Sequence, residues 1–350
     1  MRIGIYGLPT SGKSFVLEHV DFMESISGSS FLRQYDPNFD RQPEYVKDED
    51  RKAIAKILLR KKSFIMDGHY AFGDNVVFTE EDGRLYDAFI YLFISPALLK
   101  TRMANSCRNK KYLVYDIDQW QRNEIEGLRE YCHKNNKDFY VIDNPPLFES
   151  EEIKTIITFI ETISNGFSCR VFAETCSKAI LEQTDSDIIT LLDGDKTLTI
   201  EDSSSCVFGY KTHLYDGNFY TGYQSWKQFI EFTEYSIPEL HELPVHINHA
   251  VLSSLTHVPV ILTSGHPKVW TFIANALGMQ CYSGNQMSAE TKYFITKYLQ
   301  QSGKRIIAYG DGMNDYFMLK KADDAYLVKK SDGTISRSLR GKDLEGIKIV

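Results

Sequence analysis

The sequence predicts an α/β protein of two domains, each a parallel sheet flanked by helices. Three observations point there. The chain has 350 residues, more than a single hydrophobic core usually organises. Short apolar runs alternate with amphipathic stretches along most of it, and strands separated by helices pair in parallel with both faces covered. Two of those runs, "RIGIY" and "IITLL", break into loops rich in glycine, hydroxyl and acidic residues, and open parallel sheets bind ligands at their strand ends.

The first domain is expected over residues 1–164. Its strands are read at Ile3–Tyr6, Ser63–Met66, Ala88–Ile94 and Phe139–Ile142. Helices are expected from Lys13, from Asp48 ("DEDRKAIAKILLRKK"), from Pro96 and from Asp118, with a closing amphipathic helix at Glu151–Ile163. "SNGFSCR" (Ser164–Arg170) marks the boundary, and residues 165–184 read as a linker followed by a helix at Val171–Gln183. The second domain is expected over 185–350. Its strands are read at Ile188–Leu192, Val258–Leu262, Arg305–Tyr309 and Ala325–Val328, and its helices at Lys268–Leu277, Ala289–Gln301 and Asn314–Ala322. Between Thr199 and Val258 a Tyr/Phe-rich insertion interrupts the alternation. It reads as a cap of about residues 200–257 over the strand ends. Its aromatic residues either fill the cap's own core or, as with Tyr210, Tyr223 or Trp226, face a substrate; the sequence does not choose.

Net charge is −7, with 22 basic and 26 acidic residues in 1–165 and 18 and 21 in the remainder. Neither half carries a basic face, which weighs against non-specific nucleic-acid binding by phosphate neutralisation. No apolar run reaches the roughly 18–20 residues a membrane helix needs. The start reads as a strand entering a glycine turn and lacks signal-peptide architecture, so a cytoplasmic location is expected. Six scattered cysteines without a CxxC pair are expected to be reduced thiols.

"GLPTSGKS" (Gly7–Ser14) follows one strand and precedes a helix. Gly7 and Gly12 let backbone N–H groups close around phosphate oxygens, and the helix amino end adds its dipole. Lys13 is placed to reach the β- and γ-phosphates, and the Ser14 hydroxyl to bind Mg²⁺. The surrounding pattern resembles the nucleoside and nucleotide kinases of the P-loop class over residues 1–164. That resemblance implies a carboxylate role for Asp67, at the end of "SFIMD". It also implies an arginine-bearing lid in "PALLKTRMANSCRNKKY", with Arg102 and Arg108 clamping the transferring phosphate. Arg33, Asp36 and Arg41 fall where an acceptor loop would lie.

A second set of acids recurs at strand ends. "LLDGDKTLT" places Asp193 and Asp195 ahead of Thr197, "VILTSG" ends in Thr263-Ser264-Gly265, Lys292 opens a helix, and "GDGMND" supplies Asp311 and Asp315. Acids crowded in this way call for an oxygen-ligated cation. The four pieces, in this order, resemble the motifs of haloacid-dehalogenase-type phosphatases over about residues 185–350, with "GDGMND" similar to phosphoserine-phosphatase-like members. The resemblance implies that Asp193 is a nucleophile forming an aspartyl-phosphate, and that Asp195 is its acid and base. Ser264 (or Thr263) and Lys292 would hold the phosphoryl oxygens. Asp193, the Asp195 carbonyl, Asp311 and Asp315 would surround Mg²⁺. His266 and Trp270 read as packing residues.

The leading expectation is therefore a bifunctional enzyme, an ATP-dependent kinase joined to a Mg²⁺-dependent phosphatase, acting on a small phosphorylated metabolite. Two alternatives stay open. Phage polynucleotide kinase-phosphatases share this domain order and heal nucleic-acid ends. Alternatively, the first domain senses a nucleotide and regulates the phosphatase.

Overall fold

The computed structural model describes residues 1–143, 150–209, 219–233 and 236–350. The chain divides into two compact units, Met1–Phe167 and Ser168–Val350.

The first unit is built on a five-stranded sheet in the order Ser25–Ile26, Phe64–Asp67, Arg2–Tyr6, Ala88–Phe93, Asp138–Asp143, with every pairing parallel. The interior strands are continuous apolar runs because both faces are covered: Ile3, Ile5, Phe64, Ile65, Phe89, Ile90 and Leu92 are fully buried. Register sets the site. Ile5 lies opposite both Asp67 and Ile90, so the loop leaving the central strand opens beside the carboxylate ending its neighbour. The two-residue edge strand Ser25–Ile26 and the small hairpin of Ala71–Phe72 with Asn75–Val76 are additions to the expected set.

A buried acid holds this end of the sheet together. Helix Ile117–Asn135 carries Glu124, which has no solvent exposure. Its carboxylate accepts hydrogen bonds from Ala71 N (3.0 Å), Trp120 Nε1 (3.2 Å) and Tyr91 Oη (2.9 Å). It thereby ties the segment after Asp67 to a central strand. Burial pushes Glu124 up to about 7, against the opposing pull of these donors and of Lys13.

The second unit has a six-stranded sheet in the order Gln280–Ser283, Val258–Thr263, Ile188–Asp193, Arg305–Gly310, Asp324–Leu327, Ile347–Ile349, again wholly parallel. The strand ending in Asp193 is thus flanked by the two strands that lead to Thr263 and to Asp311. Helix Cys169–Gln183 is a core element: Ala173, Cys176 and Ile180 are buried in one cluster with Phe294, Ile295 and Leu299. The helix expected from Asn314 begins instead at Tyr316. The residues before it wrap a side chain, since Asp311 N and Gly312 N both donate to Asp315 Oδ2 (3.2 and 3.3 Å).

The insertion contributes helices Ser203–Phe208, Gly222–Thr233 and His249–Ser254. Tyr223 and Trp226 are buried and stacked on each other, so they pack within the insertion. Tyr210 lies outside the described residues. Among the described residues no helix is long and apolar enough to cross a membrane.

Glu124 makes a pH prediction. The folded chain keeps its proton up to about pH 7, whereas the unfolded chain loses it near the ordinary value of 4.5. Stability therefore falls as pH rises through that window, at up to about 1.4 kcal/mol per unit. Glu124→Gln preserves the donors' geometry without the charge and should flatten this slope in urea unfolding between pH 5 and 8. An identical slope in the variant would show that Glu124 is ionised throughout.

Candidate active sites

In the first unit the residues after Tyr6 pass through positive φ at Gly7 (145°), Thr10 (69°) and Gly12 (99°) before helix Lys13–Glu18 begins. Gly12 takes that conformation without strain, and Thr10 does not. Lys13 is buried and donates to Gly7 O (2.5 Å) and Leu8 O (3.2 Å). Burial lowers its pKa to about 8, against the opposing charges of Asp67 and Glu124. Asp67 Oδ1 accepts from Gly28 N at 2.7 Å, which closes the next loop against the strand end.

These residues open on a cleft of about 1130 Å³ lined by Gly12, Lys13, Ser14, Asp67, Arg33 and Arg108, among others. The two arginines expected on a lid differ in position. Arg108 lines the cleft, whereas Arg102 donates from Nη1 to Thr10 O at 3.3 Å and so holds the loop at Thr10. Of the acceptor-loop residues, Arg33 lines the cleft. Asp36 instead accepts from Asn38 N and Gln42 Nε2, and neither it nor Arg41 is part of the lining. Lys47, Arg51, His69 and Lys111 also line it and were not singled out from the sequence. Lys47 and Arg51 lie one turn apart on helix Glu44–Leu58, a spacing that could have flagged them.

In the second unit Lys292 is the hub. It has no exposed surface, yet its ammonium bridges Asp193 Oδ1 (2.6 Å) and Asp315 Oδ1 (2.7 Å). Burial would lower its pKa, but the two carboxylates win and hold it above its ordinary value. Thr197 Oγ1 donates to the other oxygen of Asp193 (3.1 Å), so both oxygens of that carboxylate are fixed. Ser264 Oγ donates to Met287 O (2.5 Å) and accepts from Asn314 Nδ2 (3.0 Å). Thr263 Oγ1 instead accepts from Gly265 N (3.0 Å), which turns it toward its own backbone. Asn314, inside "GDGMND" between Asp311 and Asp315, thus joins the site through its amide.

Asp195 is held from two sides, by Ser203 N to Oδ1 (2.6 Å) and Trp270 Nε1 to Oδ2 (3.3 Å). Burial, reinforced by the charge of Asp202, pushes its pKa up to about 7. A proton is thus available near neutrality, as an acid catalyst needs.

Asp193, Asp311 and Asp315 present carboxylate oxygens within 4.8 Å of one another. Lys292 and Lys196 do not offset the three acids: burial and the neighbouring carboxylates drive Asp311 well above its ordinary pKa and Asp315 to about 6. Hard oxygen donors, crowded and short of positive charge, fit a divalent cation of the Mg²⁺ type.

No family model matches the chain. About half of the chain is similar in structure to shikimate kinases. One from Acinetobacter baumannii, in complex with shikimate, is 16% identical, covers 48% of this chain and 95% of its own, and gives a TM-score of 0.35. The chain is also similar to a phosphoserine phosphatase captured as a phospho-aspartyl intermediate analogue. That structure is 17% identical, covers 41% of this chain and 88% of its own, and gives a TM-score of 0.29. In sequence, 65 residues are 37% identical to the copper-exporting P-type ATPase B of Enterococcus hirae, which is 19% of this chain and 9% of that protein's length.

Removing one partner from a buried ion cluster leaves the others uncompensated. Lys292→Met should cost about 3–5 kcal/mol of stability, read by urea unfolding of the second unit's transition in chelator. Unchanged stability would show that Asp193 and Asp315 do not depend on this ammonium.

Proposed function

We propose that the protein is a bifunctional enzyme in which the first unit transfers a phosphoryl group from ATP to an acceptor and the second hydrolyses a phosphomonoester. The observation that carries the phosphatase half is the buried Asp193–Lys292–Asp315 bridge with Asp311 beside it. A fold needs no such concentration of charge for stability, since buried ion clusters are at best weak stabilisers.

In the hydrolytic reaction an Asp193 oxygen attacks phosphorus, and the bond from phosphorus to the leaving oxygen breaks. Asp195 gives its proton to that oxygen. Asp195 then takes a proton from the water that attacks the aspartyl-phosphate, which regenerates Asp193 and releases phosphate. Lys292 and Ser264 hold the phosphoryl oxygens. Asp193, Asp311, Asp315 and the Asp195 carbonyl would hold Mg²⁺, which supplies charge neutralisation at the phosphoryl group. In the first unit the 7–14 loop cradles the nucleotide phosphates, with Lys13 and Ser14 in the roles their spacing implies. Arg108 serves as the phosphate clamp from the lid, and Asp67, which lines the cleft, as the carboxylate near the metal or the acceptor hydroxyl.

The acceptor is read as a small phosphorylated metabolite. A polynucleotide end is the second reading, favoured by the six cations lining the cleft: Lys13, Arg33, Lys47, Arg51, Arg108 and Lys111. Three of these are already matched by carboxylates, Arg33 by Asp40, Lys47 by Glu44 and Arg51 by Asp48. Little positive field is left to track a phosphate backbone.

Three measurements test the proposal. Lys13→Ala should abolish transfer from γ-labelled ATP while leaving aryl-phosphate hydrolysis within a few-fold; joint collapse in a folded variant would contradict independent sites. Labelled phosphate trapped from a phosphomonoester should map to Asp193, and a label on any other residue ends the mechanism. Mg²⁺ should raise the melting temperature of the wild type through binding to the folded state. That rise should shrink in Asp311→Ala, and an equal rise in both would place the cation elsewhere.

A further inference from the structure

Trp270 reads from the sequence as packing, yet its surroundings in the structure are unusual. It has no solvent exposure and lies in the first turn of helix Pro267–Leu277, just after Ser264-Gly265. Its only polar atom, Nε1, donates to Asp195 Oδ2 at 3.3 Å across 75 residues of sequence. The indole also lies against the backbone of two catalytic loops. A Cβ on Gly194 would stand 2.5 Å from Trp270 Cζ2, and one on Gly265 would stand 2.1 Å from Nε1 and 2.9 Å from Asp195 Oδ2. Contacts that short are not tolerated, so the residue before the acid and the residue after the phosphate-holding serine both lack side chains where the indole passes.

Core filling alone does not account for this. Phenylalanine or leucine would fill apolar volume without the burden of a buried N–H, which costs stability unless it finds a partner. The partner it finds is the carboxyl whose orientation decides proton transfer. The other oxygen of Asp195 is held by Ser203 N, at the start of the first insertion helix. Rotation of the carboxyl about its own bond would break both contacts together.

We propose that Trp270 is a positioning residue for the phosphatase: its indole N–H fixes the Asp195 carboxyl in the orientation from which it protonates the leaving oxygen. This rests on the reading of Asp195 as the acid of an Asp193-centred reaction. The role sits in a hydrogen bond, so it separates from ring packing by the change Trp270→Phe, which retains an aromatic ring and removes the donor.

The test uses the full chain. The kcat/KM ratio is measured for an alkyl phosphate, whose leaving oxygen needs a proton, and for p-nitrophenyl phosphate, whose leaving group does not. This ratio reports steps only through release of the leaving group. Trp270→Phe should lower the alkyl value at least about 10-fold more than the aryl value, part of the roughly 10²–10⁴ that general acid catalysis supplies. Equal losses on both esters, with labelled phosphate still mapping to Asp193, would overturn the role of Trp270 and leave the mechanism standing. A label elsewhere in the wild type would instead overturn the mechanism beneath it. A second readout needs no turnover. In metal-free protein the indole N–H resonance that vanishes in Trp270→Phe should shift upfield in Asp195→Ala, where the acceptor is gone. A resonance unmoved by that change would show that the contact is not made in solution.

Discussion

Three acids of the second unit sit in a space where mutual repulsion would drive them apart, and a buried ammonium lies among them. Lys292 has no access to water and bridges two of the carboxylates at 2.6 and 2.7 Å. An ion buried in this way is tolerated only with good geometry and full hydrogen bonding, and much of the local structure meets that demand. Parallel register brings the end of Ile188–Asp193 beside that of Arg305–Gly310. Gly310 lacks the side chain that would collide with Asp315, 2.3 Å from its Cβ. Helix Ala289–Gln301 starts under a Ser288 cap, one turn from the lysine.

The first unit meets a different demand. Its phosphate loop is shaped by backbone conformation, with left-handed turns at Thr10 and Gly12. The support is correspondingly indirect: Arg102 holds the carbonyl of Thr10, and Glu124 anchors the segment following Asp67. One unit thus organises its site by pairing charges and the other by constraining a loop. Each does so at the carboxyl ends of a parallel sheet, where converging strands leave room for a ligand.

The interior strands were legible because burial on both faces makes them unbroken apolar runs, as in "IITLLD" and "AFIYLF". Edge strands were not. Gln280–Ser283 is half-exposed along its length and Ser25–Ile26 has only two residues, so neither carries a run to read. Among the candidate site acids, Asp193 ends one strand and Asp311 follows another, whereas Asp315 lies just before the helix from Tyr316. Spacing could not separate Arg102 from Arg108, whose facing depends on where helix Pro96–Ala104 stops. Glu124 and Trp270 were beyond reach for another reason: their partners Ala71 and Asp195 lie 53 and 75 residues away, and no local pattern encodes such pairings.

Helix Cys169–Gln183 lies upstream of every motif of the second unit, yet it covers the helix that carries Lys292. A gene fragment cut at residue 185, where the first motif strand is about to start, would discard Ala173, Cys176 and Ile180. It would uncover Phe294, Ile295 and Leu299 on their packed face, and an exposed apolar face of that kind invites aggregation. The second unit therefore has its natural left-hand border near Ser168, well before Asp193, the first acid of its motifs.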